Sequence, residues 1–202
     1  MMGNTHMTGG VVAALSVITL SGITSPALMG LGTACAVSGS LFPDIDHPNS
    51  KLSRRNQLCS AISNLVCSLT THRGFCHTVP FLLLMGAGWW LVFVLFGSIA
   101  ENHLDAFFYE TAKETQVPLF RYIANWNVTT GMRTGCWFFL AGILSHLILD
   151  TLNPEGILWL YPFRRTRIHL LSIKTDSNGE RLVRLMMVLL ILLWVLLVLN
   201  RN

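Results

Sequence analysis

The sequence predicts an all-α fold: a polytopic bundle of membrane helices in which an N-terminal helical hairpin is followed by three further spans. Three observations carry that expectation. Of 202 residues, 52% are hydrophobic and 12% charged, about half the charged share usual for a soluble domain. Apolar stretches of roughly 20 residues recur, the length that crosses a bilayer core. Lys and Arg gather in two of the segments between those stretches, as the positive-inside bias requires. No Ser/Pro/Gly-rich linker or internal repeat divides the chain, so 1–202 reads as one domain.

The N-terminal region, 9–41, is apolar for longer than one span needs and is interrupted at SGITSP, 21–26. Gly22 and Pro26 favour a turn there, which predicts two shorter helices, 7–20 and 27–42, over the alternative of one long tilted helix. The choice decides which side of the membrane holds His6. No Lys or Arg precedes the first apolar run and the next spans follow closely, so a cleaved signal peptide is not expected. The remaining spans are 79–100, 134–152 and 182–199. The last has no ionisable side chain beyond Arg184 near its start and reads as an anchor. Trp89–Trp90 and Phe138–Phe139 read as lipid-facing or packing residues, not as a cofactor box.

Orientation follows from charge. Segment 42–78 carries Lys51, Arg54, Arg55 and Arg73, and 153–184 carries Arg164, Arg165, Arg167, Lys174, Arg181 and Arg184. In 101–133, Lys113, Arg121 and Arg133 are offset by Glu101, Asp105, Glu110 and Glu114. The two basic segments are therefore expected in the cytoplasm with the N-terminus, and 101–133 becomes an extracytoplasmic insertion, amphipathic enough to lie along the outer surface.

The net charge of +4 does not point to nucleic acid, because the basic residues sit where topology places them and no nucleic-acid module motif occurs. RRTR, 164–167, can also hold anionic lipid head groups. The five cysteines have no CxxC spacing, which disfavours structural zinc and a disulfide scaffold. Cys76 beside His77 is a poor nucleophile–base pair, since adjacent side chains rarely meet. A transporter would carry its polar residues near the midplane; here they gather near one face.

Those polar residues form short blocks. In SHLILD, His146 and Asp150 are four apart, about 40° round a helix, so they share a face and can share a partner. The plain alternative is a buried His–Asp bond locking two helices. In FPDIDHP, Pro43 ends a helix and His47 precedes Pro48, which puts Asp44 and Asp46 on a short non-helical segment where two carboxylates repel unless a cation lies between them. The alternative is a solvated turn. In HRGFCHT, His72 and His77 would diverge by about 140° on a continuous helix. Gly74 allows a bend that lets both reach one site, and Thr78 can cap the helix that starts near Val79, with Pro80 in its first turn. His6 joins these blocks only if the hairpin forms. His103 and His169 read as ordinary interfacial residues.

PDIDHPNS, HRGFCHT and SHLILDTLNPEGILWLYPF, in that order, resemble the signature blocks of the YdjM family of bacterial inner-membrane proteins, described as metal-dependent hydrolases. The resemblance runs from His6 to about Arg167 except for 101–133; Cys76 stands where the family usually has Thr, and Thr78 where it has Ser. A more distant similarity is to the zinc-dependent phospholipase C and P1 nuclease group. The family's association with LexA and the SOS response concerns a promoter and is not written in these residues. The resemblance implies a hydrolase with His6, Asp44, His77, His146 and Asp150 as metal ligands. Asp46 and His72 are additional ligands, supporting groups or the general base, and Arg73 is suited to a phosphate or to a lipid head group. Nitrogen and oxygen donors without thiolate suit one or two zinc ions, or manganese or iron. The partners implied are the bilayer and a phospholipid or other amphipathic ester.

Overall fold

The computed structural model describes residues 1–99, 103–115 and 128–200. The helices are α1 (Gly3–Ser21), α2 (Pro26–Leu41), α3 (Gln57–Leu69), α4 (Val79–Ile99), α5 (Asp105–Thr115), α6 (Val128–Thr151) and α7 (Asn178–Leu199), with 3-10 turns at Pro43–Asp46 and Phe75–His77. No β strand occurs among the described residues. Of two isolated bridges, Thr78 with Leu158 ties the chain after α6 to the start of α4, and Ile157 with Ile168 folds that chain back on itself.

The hairpin forms. Gly22 adopts φ 65°, the left-handed conformation that ends α1 at low cost, and Pro26 occupies the first turn of α2. Among the described residues, four segments are long and apolar enough to cross a membrane: Pro26–Asp46, Val79–Gly97, Thr129–Thr151 and Asn178–Leu199. At 19 residues α1 is about 28 Å long, but its first turns carry Asn4, Thr5 and His6, and it is held inside the bundle by buried Thr5, His6, Gly9, Gly10, Ala14 and Ile18.

The tightest packing is between α2 and α6, with α1 against both. Small residues make it: a Cβ on Gly39 would collide with the Phe139 carbonyl, one on Gly142 with the Ala36 carbonyl, and one on Gly32 would lie 2.6 Å from the Phe138 ring. In a membrane, where apolar area adds no drive between helices, such backbone approach is a main source of association. Phe138, Ala36, Ala14 and Ile18 form the buried cluster above it. Trp89 stacks on Phe139 and donates to the Met132 carbonyl at 3.1 Å, whereas Trp90 is exposed, so this aromatic pair divides between packing and the lipid face.

Helix α3 was not foreseen. Leu58, Ile62, Leu65 and Leu69 lie on one exposed stripe while Ser63 on the other face is buried and donates to the Ile45 carbonyl at 2.7 Å. The 3.6-residue period was present, but the run of 13 residues is too short for a span. Of the segment expected as an insertion, 101–133, α5 is helical and 128–133 already belong to α6, which starts earlier than the expected span at 134; residues 100–102 and 116–127, including the rest of the expected amphipathic element, lie outside the described residues.

Candidate metal centre

The polar blocks meet at one end of the bundle. The α2–α6 contact places the Ser40 carbonyl 2.7 Å from His146 Nδ1. A carbonyl only accepts, so Nδ1 carries the hydrogen and Nε2 presents its lone pair. His77 is delivered by the 3-10 turn ahead of α4, and its Nδ1 lies 3.2 Å from Asp46 Oδ2. The two Nε2 atoms are 3.1 Å apart.

Two carboxylates complete the cluster. Asp44 Oδ1 is 3.5 Å from His77 Nε2 and 3.7 Å from His146 Nε2; Asp150 Oδ2 is 3.6 Å from each. Four-coordinate zinc with bonds near 2.0 Å has ligand atoms about 3.3 Å apart, and the separations of each carboxylate from the two imidazole nitrogens are close to that value. His77, His146 and Asp150 are at most 1% exposed, while the Asp44 side chain is 17% exposed, which leaves one edge open.

His6 sits against this group. Its ring stacks on His146 with centroids 3.8 Å apart, and Nε2 is 3.3 Å from Asp150 Oδ1, the oxygen that also accepts from the Met1 amino group at 2.9 Å. Among the described residues, and apart from that approach to Asp150, neither ring nitrogen of His6 has a hydrogen-bond partner, though the residue is fully buried. Buried polar groups without partners are rare and costly; a cation would use the free nitrogen. His6, Asp44 and His146 form one group of donors close enough for an ion, His77, His146 and Asp150 a second, and Asp44, Asp46 and His77 a third.

Asp46 stands behind His77, with His72 Nδ1 2.8 Å from its Oδ1 and the Arg73 N–H 3.2 Å from its Oδ2. Burial lowers the basicity of His77, but Asp44, Asp46 and Asp150 more than offset it and raise the imidazole to about 9. The proton it would hold is in the place a cation would take. His72 is 39% exposed and lies at the rim beside His47, ring centroids 4.8 Å apart. His103 and His169 are exposed.

The bend in HRGFCHT works differently from the expectation. The left-handed residue is Arg73, at φ 58°. Gly74 is required because a Cβ there would lie 2.7 Å from the Thr71 carbonyl. Thr78 caps as expected, its Oγ1 accepting from the Phe81 N–H at 3.3 Å. Cys76 faces away from His77, into the cluster of Ile45 and Phe81. Burial, then the Asp46 charge, push its thiol up to about 12, unlike an activated nucleophile. Sequence reasoning missed Ser40, whose carbonyl leaves no side-chain signal, and Asn153, which accepts from Arg73 Nη1 at 3.3 Å and the Glu155 N–H at 3.2 Å. The Asn153–Pro154 pair just after SHLILDTL was the available sign of that turn.

Comparison with known proteins identifies relatives of this chain. The chain is 30% identical over 184 residues to the protein YvsG of Bacillus subtilis, spanning 91% of this chain and 87% of that one. It is 28% identical over 149 residues to the inner membrane protein YdjM of Escherichia coli, and equally to that of Shigella flexneri, spanning 73% of this chain and 58% of each relative. No solved structure matches. The family described as YdjM inner membrane protein matches residues 1–202. This membrane-bound chain, with its His and Asp groups gathered at one end of the bundle, belongs to the YdjM family.

Proposed function

We propose that the protein is a metal-dependent hydrolase of the bacterial inner membrane, acting at the cytoplasmic face on a phosphoester or lipid-like substrate. One observation carries the reading: two imidazole Nε2 atoms 3.1 Å apart, flanked by Asp44 and Asp150. Two lone pairs at that distance repel unless a proton or a cation lies between them, and the two adjacent carboxylates stabilise positive charge at that point. Zinc suits the donor set best, with manganese or iron also compatible.

His77, His146, Asp44 and Asp150 would hold the ion. His6, facing the other oxygen of Asp150, would complete the set or hold a second ion with Asp44. When bound, such an ion supplies an acidified water and polarises the electrophile. The chain's own part is orientation and proton traffic. The Ser40 carbonyl fixes the His146 ring through a hydrogen bond at Nδ1, and the Asp46 carboxylate, 3.2 Å from His77 Nδ1, orients that ring by its charge. His72, half-exposed and bonded to Asp46, is the group placed to exchange protons with water. Substrate and water reach the cluster past Asp44. The basic segments 42–78 and 153–184 support a cytoplasmic orientation, and the site's depth at the rim of apolar helices supports an amphipathic substrate.

A non-catalytic protein with a structural ion is the second reading, favoured by the count of four protein donors, the number in a closed zinc site. Hydrolysis separates the two. Purified protein loaded with metal should cleave phospholipid or a phosphoester analogue, and Asp150→Ala should lose roughly 100-fold or more. Equal activity in both proteins would remove the assignment.

A further inference from the structure

Arg73 is 6% exposed and lies directly beside the His–Asp cluster. Its backbone, in the left-handed conformation, turns the side chain under Asp150. Among the described residues the Nε–H has no hydrogen-bond partner, and it lies 3.7 Å from Asp150 Oδ2. Nη1 donates to Asn153 Oδ1 at 3.3 Å and pairs with Glu155 Oε2 at 3.1 Å. A buried guanidinium with a vacant donor is a strong anion receptor, because its planar fork matches two oxygens of one oxyanion.

Its two acidic partners differ in freedom. Asp150 is 1% exposed and faces three histidines; the Glu155 side chain is 65% exposed. Glu155 can swing into water without disturbing the fold, since its turn is held independently by the Glu155 N–H on Asn153 Oδ1, the Gly156 N–H on the Asn153 carbonyl and the Ile157–Ile168 pairing. The ion pair is therefore not needed to build the turn.

We propose that Arg73 forms an oxyanion subsite of the metal centre, filled by the Glu155 carboxylate at rest and by a phosphoryl group when ligand is bound. The inference rests on the metal-hydrolase reading and names its substrate class: a phosphoester whose phosphoryl oxygens reach Arg73 and the cluster together. Glu155 sets the threshold, because an incoming anion must displace it, and it discriminates against neutral esters, which cannot.

The test uses the full chain, detergent-purified and zinc-loaded, with inorganic phosphate titrated by calorimetry and metal content measured on the same samples. Glu155→Gln should bind phosphate about tenfold more tightly than wild type, and Arg73→Lys about tenfold more weakly, each with unchanged metal content. A second arm uses nanodiscs of phosphatidylcholine with or without phosphatidic acid. Loss of phosphate binding in the phosphatidic acid discs alone identifies a lipid head group as the ligand, while equal binding in both identifies a soluble phosphoester. Metal bound but phosphate affinity identical in wild type and Glu155→Gln, or undetectable in both, overturns the subsite. No metal in wild type overturns the underlying reading instead. Glu155 is a surface side chain, so its variant tests the subsite even if Arg73→Lys fails to fold.

Discussion

The faces that α2 and α6 turn toward each other and the faces that α4 and α7 turn outward are both apolar, but they are made of different residues and do different things. Between α2 and α6 the contacts are Gly32, Gly39 and Gly142 against backbone or a buried ring. On α4 and α7 they are Leu83, Leu91, Leu95, Leu189, Leu193 and Leu196, all exposed. Leucine faces keep a helix in the bilayer and specify little else. Glycine contacts fix the separation of two helices to within a few tenths of an ångström, and the next turn along that contact is where the Ser40 carbonyl meets His146. The precision of the polar cluster is inherited from the closest backbone approach in the bundle.

That contrast can be broken at its strongest point first. Asp150→Ala removes a buried carboxylate that faces His6, His77, His146 and Arg73; a loss of about 3–5 kcal/mol is expected, read as a large fall in thermal midpoint together with loss of metal. Gly142→Leu strikes the helix contact without touching a donor. It should cost about 1–3 kcal/mol or more and lower metal occupancy, measured on protein that still elutes as a folded species. Retention of full occupancy would show that the cluster does not depend on this approach.

Protonation offers a finer probe. In metal-free protein the His77 value is raised above the unfolded one, so its stabilising contribution is fully present below about 6.5 and lost as pH rises through about 9. The thermal midpoint of chelated protein should therefore fall between those limits. Metal-loaded protein should lack that fall, because an ion competes with the proton for the same imidazole. A flat profile after chelation would contradict the pairing of His77 with Asp44 and Asp46. The smallest effect belongs to the lipid face: Leu193→Ala on α7 should change stability by less than about 0.5 kcal/mol and leave metal content untouched.

The same contrast explains what could be read from the sequence. His146 and Asp150 announce themselves because the helical period puts them on one face, and the aspartates of FPDIDHP because Pro43 and Pro48 deny them a helix. The hairpin was legible in Gly22 and Pro26. The supports were not: a backbone carbonyl at Ser40 has no residue signature, the left-handed backbone fell on Arg73 and not on glycine, and the α2–α6 approach depends on which glycines face a partner, which pattern alone does not determine. Helix α3 was hidden because its apolar stripe is short and faces outward.

The central claim is that four donors from α2's end, the turn before α4 and α6 converge on one cation. It is tested by metal analysis of detergent-purified protein by mass spectrometry, comparing wild type with the Asp44→Ala, His146→Ala double variant. One or two equivalents in wild type and none in the variant is the predicted result. A wild-type protein that stays metal-free after reconstitution with zinc and with manganese would contradict the account and leave a bundle tied together by polar contacts at its rim.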